Sequence, residues 1–482
     1  MGMKKVSITK PNIQKIVFSL LLLISLFIVG RISIEPGLIR PLIFLVLFLL
    51  LFSFSIFLKE KIIAVLVVYL ALMGLFRRAL IPIAGWSGFD PLLILGPSIT
   101  VVIALMIFWE NKNQYSVLGL KPDKIMSALF VMGCIQMFNP LSGSPVSGLV
   151  ASIYIIIPWL WYFISFYRIT QTDVAKLFHT IEIVGTVIAL YGLYQTFYGI
   201  LPFEQMWVDI TGYAALYLAD NTVRSIGTFP SAQEFVFFTM ITFMIAFSRM
   251  VLKRSYIIHL PVVLITFVSI FFASTRMIIF FMAIAVFLIL ILSKKSAINQ
   301  LITGLVTLAV FFAIWSSLPK LNPTWFGVAE PAVEHMIEGL VDPLSEDQTG
   351  LGHIERFVDG MKMIFTNPVG HGIASVTKAA DKSGSTDAMS TEIDISNMIV
   401  ATGVGGFLYI LVIINTFYKV FSLIQIRKTP EIISILGILV GGFGTWLNGG
   451  FYTASIIVWL LVGWIHKEYI VSRGERNAFS SS

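Results

Sequence analysis

The longest polar stretch of this chain, residues 317–394, contains most of the side chains that could do acid–base or phosphate chemistry. It holds His335, His353, Arg356 and His371, and thus three of the six histidines in the sequence. Histidine transfers protons near neutral pH, and the planar guanidinium of arginine holds two phosphate oxygens at once. Because apolar runs of membrane length flank this stretch, the sequence predicts chemistry on one outward-facing loop.

Two further arginines stand out by their positions. Arg224 precedes one long apolar run, and Arg276 lies in a short polar break between two others. An arginine at mid-bilayer depth costs on the order of 2.5–3.5 kcal/mol unless it has a partner, and it stays charged at any relevant pH. We predict that both meet Arg356 at one membrane boundary, where three guanidinium groups suit a lipid-linked diphosphate. Interfacial snorkelling or a simple ion pair is the alternative for each arginine.

Several other polar side chains allow two interpretations. Gln233, in the first turn of a predicted helix, could contact a sugar or satisfy free backbone donors. His179 and Glu182 could form a proton relay, but an intrahelical pair facing the bundle is favoured. For His335, which has acidic neighbours, an ordinary solvated side chain is expected. No group of histidines and carboxylates has the spacing of a metal site, so neither a metal nor another cofactor is predicted.

The elements that must position these side chains are membrane helices. The 482 residues are 57% hydrophobic and 12% charged, too few polar residues to cover a soluble globule. Backbone groups in hydrocarbon must bond internally, which favours helices. We predict an all-α fold, a single integral membrane domain over residues 1–482, with about 14 transmembrane helices of roughly 20 residues. Residues 317–394 form its one large helical extracytoplasmic loop, and residues 16–30 its retained first span.

Basic residues indicate the orientation of these helices. They concentrate in alternate connections between apolar runs, which is typical of the cytoplasmic side of a membrane. This pattern places both termini in the cytoplasm and the 317–394 loop outside. The net charge of +7 therefore reflects orientation and not nucleic-acid binding. Four other arginines also fall outside, where ion pairs or interfacial contacts are expected: Arg31, Arg40, Arg77 and Arg78.

Two parts of the long loop have distinct local patterns. Residues 353–365 place apolar side chains at spacings near three and four, which predicts an amphipathic helix packed on the membrane surface or over the bundle. Asn367-Pro368 should end that helix, and Gly370-His371-Gly372 should form a turn.

An ordered set of short motifs extends over the second half of the chain, between Arg224 and Tyr409. The set comprises Arg224 before Gly227-Thr228-Phe229, Thr275-Arg276 at the start of a span, Arg356 before Asn367-Pro368 and a Gly-x-Gly turn, and Gly403-Val404-Gly405-Gly406. In order, spacing and membrane side, these motifs resemble the bacterial O-antigen ligase and O-antigen or exopolysaccharide polymerase family of integral membrane glycosyltransferases. The resemblance implies a metal-independent, inverting transfer at the outer face of the bacterial plasma membrane.

The resemblance also implies roles for individual residues. The donor would be an oligosaccharide on undecaprenyl diphosphate, with Arg224, Arg276 and Arg356 at the diphosphate. The ligase branch carries a histidine eleven residues before the first glycine of its Gly-x-x-Gly, and in this sequence that position, counted from Gly403, is Glu392. A carboxylate there fits the polymerase branch and could deprotonate an acceptor hydroxyl, while Arg276 and Arg356 stabilise the leaving group.

The remaining candidates are expected to contact the sugar. Asp394 lies beside Glu392, and Gln233, His353 and His371 could also reach a glycan, with the two histidines as reserve candidates for the base. A helix-terminal residue favoured by the helix dipole is the alternative for Glu392.

The predicted function is polysaccharide polymerisation, with a lipid-linked donor, a glycan acceptor and the bilayer as partners, and without nucleic acid. Ligase-type transfer to a different acceptor remains an alternative. A lipid-linked sugar flippase or transporter is another, and it would carry charged residues at mid-membrane depth or broken helices in paired halves. The sequence identifies neither the sugar nor a chain-length regulator.

Overall fold

A computed structural model of the chain describes residues 39–57, 61–88, 90–111, 121–213, 216–218, 222–342, 350–377, 389–447 and 452–480. These residues form α-helices joined by turns and short 3₁₀ segments; no strand occurs among them, and one isolated bridge joins Tyr217 to Val223. The predicted all-α fold is confirmed for these ranges. The predicted first span at 16–30, Arg31 and loop residues 378–388 lie outside the described residues.

The α-helices are numbered here in chain order, with a single turn of helix at Ile81–Ala84 left unnumbered. They are α1 Ile39–Phe57, α2 Lys61–Ala79, α3 Pro91–Asn111, α4 Lys124–Gln136, α5 Pro145–Ser152, α6 Ile156–Arg168, α7 Gln171–Tyr198, α8 Pro202–Thr211, α9 Ala232–Lys253, α10 Tyr256–Phe272, α11 Arg276–Ser293, α12 Ala297–Ser317, α13 Glu330–Val341, α14 Gly350–Thr366, α15 Asp394–Thr402, α16 Gly406–Ile426, α17 Pro430–Gly441 and α18 Tyr452–Ser480.

Within the described ranges, nine helical segments are long and apolar enough to cross a membrane, or ten if the bent pair α5 and α6 is one span. The chain is therefore a multi-pass membrane protein, and the predicted number of about 14 crossings is not confirmed. The sequence estimate assigned one crossing to each apolar run. However, α4, α10 and α17 are apolar helices of 13, 17 and 12 residues, shorter than a typical crossing of about 20 residues.

Helix α9 lies at the centre of the bundle. Its sequence is apolar on all faces, as expected of a helix surrounded by others, and it packs against α7, α10, α11, α17 and α18. The hydroxyl of Ser231 accepts a hydrogen bond from the Glu234 backbone N–H and caps its first turn. In contrast, α12 packs mainly on α11 and leaves most of its apolar side chains open, as a lipid-facing helix does.

Several helix ends lie together at one end of the bundle, called the upper end below. Helices α9 and α11 begin there and α10 ends there, because Arg224 binds the turn that joins α10 to α11. The C-terminus of α17 lies at the same end, since the ring centroids of Phe281 on α11 and Phe443 are 5.7 Å apart. The start of α15 also lies at the upper end, because the backbone N–H of Asp394 donates to the carbonyl of Gly444. Residues distant in sequence thus meet at the upper end.

Buried ion pairs account for three of the arginines that were expected to have structural partners. Arg40 and Arg77 both pair with the buried carboxylate of Asp90, and Arg78 lies 3.1 Å from a carboxylate oxygen of buried Glu204. The ion-pair interpretation is confirmed for these three arginines. Taking a charge out of water is unfavourable unless it is paired and hydrogen-bonded, which explains why each has an acidic partner.

The predicted pairing of His179 with Glu182 is wrong. Glu182 instead accepts a hydrogen bond of 2.7 Å from Arg249 on α9 and contacts His259 on α10, while His179 is exposed to the outside of its helix. The three bonded residues are buried at the lower end of the bundle, where α9 ends and α10 begins. Glu182 faces the bundle and His179 does not, so Glu182 pairs with residues of other helices and not with His179.

Candidate functional site

Arg224 is held by the turn between α10 and α11. Its Nε donates to the carbonyl of Ala273 and its Nη2 to the carbonyl of Ser274, each at 3.0 Å. The last carbonyls of a helix have no partner within the helix and carry partial negative charge, which makes them good acceptors for a guanidinium. Ser274 has a positive φ of 53° and its hydroxyl donates to Ala332 on α13. Arg224 thereby joins the upper ends of three helices.

Arg276, the first residue of α11, lies against one face of α13. Its Nη2 is 2.8 Å from Nε2 and 3.0 Å from Nδ1 of His335. Gly339, one turn further along α13, leaves the space that the arginine occupies: a Cβ at this position would lie 2.1 Å from Cζ and from Nε of Arg276. Residues four apart lie on the same face of a helix, so the ring of His335 and the space beside Gly339 both lie against the guanidinium of Arg276.

Arg224, Arg276 and His335 form one cluster, called the Arg224 cluster. Burial, the charge of Arg276 and the charge of Arg224 lower the pKa of His335 to about 4. The pKa of Arg224 is also lowered, by burial first and by the charge of Arg276 in addition, with Tyr213 acting in the opposite direction. Both guanidinium groups are half-buried and close enough to influence the same histidine, so positive charge is concentrated here.

A second cluster surrounds Glu392. His353 Nδ1 donates to Glu392 Oε2 at 2.6 Å, and Arg356 Nη1 donates to Glu392 Oε1. His353 and Arg356 are three residues apart on α14, which places both on one face of that helix. The predicted helix at 353–365 is therefore confirmed, and it carries two of the predicted site residues to a third. We call Glu392, His353 and Arg356 the Glu392 cluster.

The carboxylate of Glu392 is strongly favoured in its ionised form. The hydrogen bond from His353 is the largest influence and lowers its pKa; burial opposes this, and the charges of His353 and Arg356 lower it further. Its side chain is 41% exposed, so solvent or a ligand reaches it. Its φ of 65° is rare for a residue with a side chain. Such strained positions concentrate at functional sites, and Ser274 beside Arg276 is another.

The structure places Asp394 in the interior and not at a surface. Its Oδ2 accepts hydrogen bonds from the Tyr409 hydroxyl at 3.0 Å and from the Leu447 backbone N–H at 2.7 Å, and the residue is almost fully buried. The expected sugar contact of Asp394 is therefore corrected: this carboxylate ties the start of α15 to α16 and to the segment after α17. Both donors bind Oδ2, and the other carboxylate oxygen, Oδ1, is buried without a hydrogen-bond partner among the described residues.

His371 and Gln233 occupy different surroundings. The backbone N–H of His371 donates to Val400 O and its carbonyl accepts from the Ser142 hydroxyl, so the predicted turn is fixed against α15 and the segment before α5. The ring Nδ1 of His371 is buried and has no hydrogen-bond partner among the described residues. Gln233 is exposed on the first turn of α9, whereas its neighbour Glu234 is buried and accepts from Thr453. Neither residue joins the Arg224 cluster or the Glu392 cluster.

The three predicted arginines do not form one uniform clamp. Arg276 contacts His335 and the charge of Arg224 acts on the same ring, whereas Arg356 binds Glu392. Both clusters lie at the upper end of the bundle, because Arg276 begins α11 and Glu392 immediately precedes the segment bonded to Gly444. The arrangement is suited to holding an anion at the Arg224 cluster and to receiving a proton at Glu392.

Sequence reasoning missed His335 and Gly339. His335 was expected to be an ordinary solvated residue, yet it is half-buried against Arg276. The available signal was their spacing: a histidine and a glycine four apart on a short amphipathic helix mark a face that approaches another element closely. What that face contacts depends on where α13 folds back, and no local pattern contains this information.

The chain matches none of the protein-family models against which it was scanned, and a search of curated proteins finds no relative of it.

Proposed function

We propose that this chain is a membrane glycosyltransferase that polymerises a polysaccharide from lipid-linked units at the outer face of the bacterial plasma membrane. The observation that carries the proposal is that Arg276 contacts His335 while the charge of Arg224 acts on the same ring, at the same end of the bundle as Glu392. Guanidinium groups bind phosphate oxygens in pairs, so a diphosphate at a membrane boundary is the ligand that this chemistry favours.

In the proposed reaction, an acceptor sugar hydroxyl attacks the anomeric carbon of the donor glycan. The new carbon–oxygen bond forms as the bond to the diphosphate breaks, and the electron pair leaves with the diphosphate. Arg224 and Arg276 stabilise the charge that develops on this leaving group. The hydroxyl proton passes to the carboxylate of Glu392, and attack from the opposite face inverts the anomeric centre.

Arg356 takes a different part in this proposal from the one implied by the resemblance. It donates to Glu392 together with His353, and these two bonds hold the carboxylate in one orientation. The same contacts make Glu392 a weaker base than a free glutamate, since its pKa is lowered. A base of this kind gains strength when the acceptor displaces one of the two donors, because the carboxylate then loses part of its stabilisation.

The test uses full-length protein in lipid nanodiscs with a purified lipid-linked repeat unit, and the products are separated by size. A ladder supports polymerisation, whereas one added block supports ligase-type transfer. Arg276→Ala should lower product formation by roughly a hundredfold or more, the range found when one charge-stabilising donor is removed. Arg473→Ala is the matched control, since Arg473 is an exposed arginine near the end of α18.

A second candidate function, transport of a lipid-linked sugar, is favoured by one observation. Lys419 on α16 donates to Asp123 at 2.6 Å and lies 3.1 Å from His466 on α18, and the lysine and histidine are buried. Buried ionisable groups between membrane helices are typical of transport pathways. Movement of a labelled lipid-linked sugar across liposomes that contain the protein, without any glycan product, would favour this function over transfer.

A further inference from the structure

The neutral form of His335 is favoured in the arrangement described above. Nη2 of Arg276 lies 2.8 Å from Nε2 and 3.0 Å from Nδ1 of His335, so the guanidinium charge is in direct contact with the ring. An imidazolium ring has donors only and would face this guanidinium with two like charges. Contact with Arg276 therefore favours the unprotonated ring.

Burial and the neighbouring positive charges both favour the neutral form of the His335 ring. The titratable residues on α13 and on the elements packed against it at this end are Arg224, Arg276, Lys320, Glu330, Glu334, Glu338 and Asp342. Helix α10 and the 3₁₀ segment 323–329 present apolar side chains around Val333. Burial first, and then the charges of Arg276 and Arg224, lower the pKa of His335 to about 4.

We propose that His335 is a proton-coupled positioning residue: when Arg224 and Arg276 bind a diester of diphosphoric acid, His335 takes up one proton and donates to the ligand. This inference rests on the proposed function, because it assumes that the Arg224 cluster holds the donor diphosphate. The proton comes from solvent, no covalent bond changes, and Arg276 exchanges the imidazole for a phosphate oxygen as its acceptor.

Two physical effects lead to this coupling. The two negative charges of a diphosphate diester offset the guanidinium charges that oppose protonation of the ring. A neutral ring nitrogen with a lone pair would also repel a phosphate oxygen, whereas a protonated ring donates a charge-assisted hydrogen bond to it. Both effects raise the pKa of His335 in the bound state above its value in the free state.

The sign of the pH dependence follows from linkage. The ligand-bound protein binds more protons than the free protein at pH values between the two pKa values of His335, so affinity rises as pH falls through that range. If binding restores an ordinary histidine pKa of about 6.5, the diester should bind more than roughly tenfold tighter near about pH 5 than near about pH 8.

The experiment is calorimetric titration of full-length protein in nanodiscs with P1,P2-dimethyl diphosphate, a diester whose two charges do not titrate in this range. Titrations at the acidic pH in two buffers of different ionisation heat count the protons taken up. The matched variant is His335→Gln, whose amide oxygen still accepts from Arg276 but cannot be protonated. We expect uptake close to one proton for wild type, and for the variant a pH-independent affinity near the alkaline wild-type value.

The outcomes separate the two ideas. Binding without proton uptake by wild type, or an unchanged pH dependence in His335→Gln, overturns the role of His335 and leaves the diphosphate site standing. Absence of diester binding by wild type at either pH overturns the site and the proposed function together. The wild-type buffer comparison needs no variant, so it decides the matter even if His335→Gln does not fold.

Discussion

Arg78 and Arg224 lie at the same end of the bundle and make the same kind of main-chain contacts, yet their charged surroundings differ. Each guanidinium donates to two main-chain carbonyls in a turn beside a helix end. Arg78 is also completely buried beside the carboxylate of Glu204 and lies over the ring of Trp207. Arg224 is half-buried and shares its surroundings with Arg276 and a neutral histidine.

Residue type and main-chain contacts therefore do not set the charge environment of an arginine. A guanidinium that is paired with a buried carboxylate stabilises the fold, and the carboxylate offsets the charge that would attract an anionic ligand. Two guanidinium groups beside a neutral imidazole stabilise the fold less and concentrate charge for an anion. Four predictions test this contrast, beginning with the largest expected effect on stability or donor binding.

Arg78→Ala should destabilise the protein most. It leaves the buried Glu204 carboxylate without its arginine partner, and removal of one partner from a buried pair typically costs about 3–5 kcal/mol. The measurement is the midpoint of thermal unfolding in detergent, with exposed Arg473→Ala as the control. A variant as stable as wild type would show that the Arg78–Glu204 pair does not stabilise the upper end, which would contradict the structural role given to Arg78.

Arg224→Ala should act mainly on donor binding. Loss of hydrogen bonds to a charged group corresponds to about 1.5–3 kcal/mol, or roughly ten- to a hundredfold in donor KM. Its stability should decrease less than that of Arg78→Ala, because no buried carboxylate is left behind. Donor titration of product formation measures the first effect and thermal unfolding the second. If Arg224→Ala is as unstable as Arg78→Ala, the two arginines are equivalent and the contrast is wrong.

Gly339→Ala should displace Arg276 without unfolding the protein. The added methyl would overlap the guanidinium, which is the flexible end of a long side chain and can move away. We expect product formation to fall by roughly tenfold or more, since the proposed contact of Arg276 with the leaving group would be lost. The matched control is Gly352→Ala on α14, where an added Cβ would meet nothing within 4 Å. Equal activity of the two variants would contradict the assigned position of Arg276.

Glu392→Gln should have the smallest effect on binding and act on turnover. The amide keeps nearly the same shape but cannot accept the hydroxyl proton, and general-base catalysis contributes typically about 10²–10⁴-fold to a rate. We expect kcat to fall and donor KM to stay within about twofold of wild type. Asp359→Asn, an exposed carboxylate on α14, is the control. A change confined to KM would remove the role of Glu392 as base.

Much of the fold followed from the sequence because its causes are local. Apolar runs, polar breaks and the spacing of Ile354, Phe357 and Phe365 predicted helices, and the structure contains them. The count of crossings did not follow, because apolar runs such as α4 and α17 form helices of 13 and 12 residues, shorter than a typical crossing, and α17 is enclosed by other helices. Hydropathy reports that a run avoids water and does not report whether lipid or protein surrounds it.

The site was predicted in part. The pairing of Glu392 with His353 and Arg356 unites three residues that the sequence had singled out separately. Arg224 and Arg276 are also neighbours, as predicted. Asp394 is buried and not at a surface, and His335 contacts Arg276, a contact that was not predicted. These outcomes depend on which helix faces point at one another.

The amino-acid sequence by itself determined that the chain forms apolar helices and that its arginines require partners, because hydrophobicity and charge are properties of single residues and short windows. Only the tertiary structure decided which partner each arginine received. Arg78 lies against Glu204 and Arg276 against His335 because helices far apart in the chain pack with particular faces together. Such contacts arise from the summed packing of the whole bundle, which no short stretch of sequence contains.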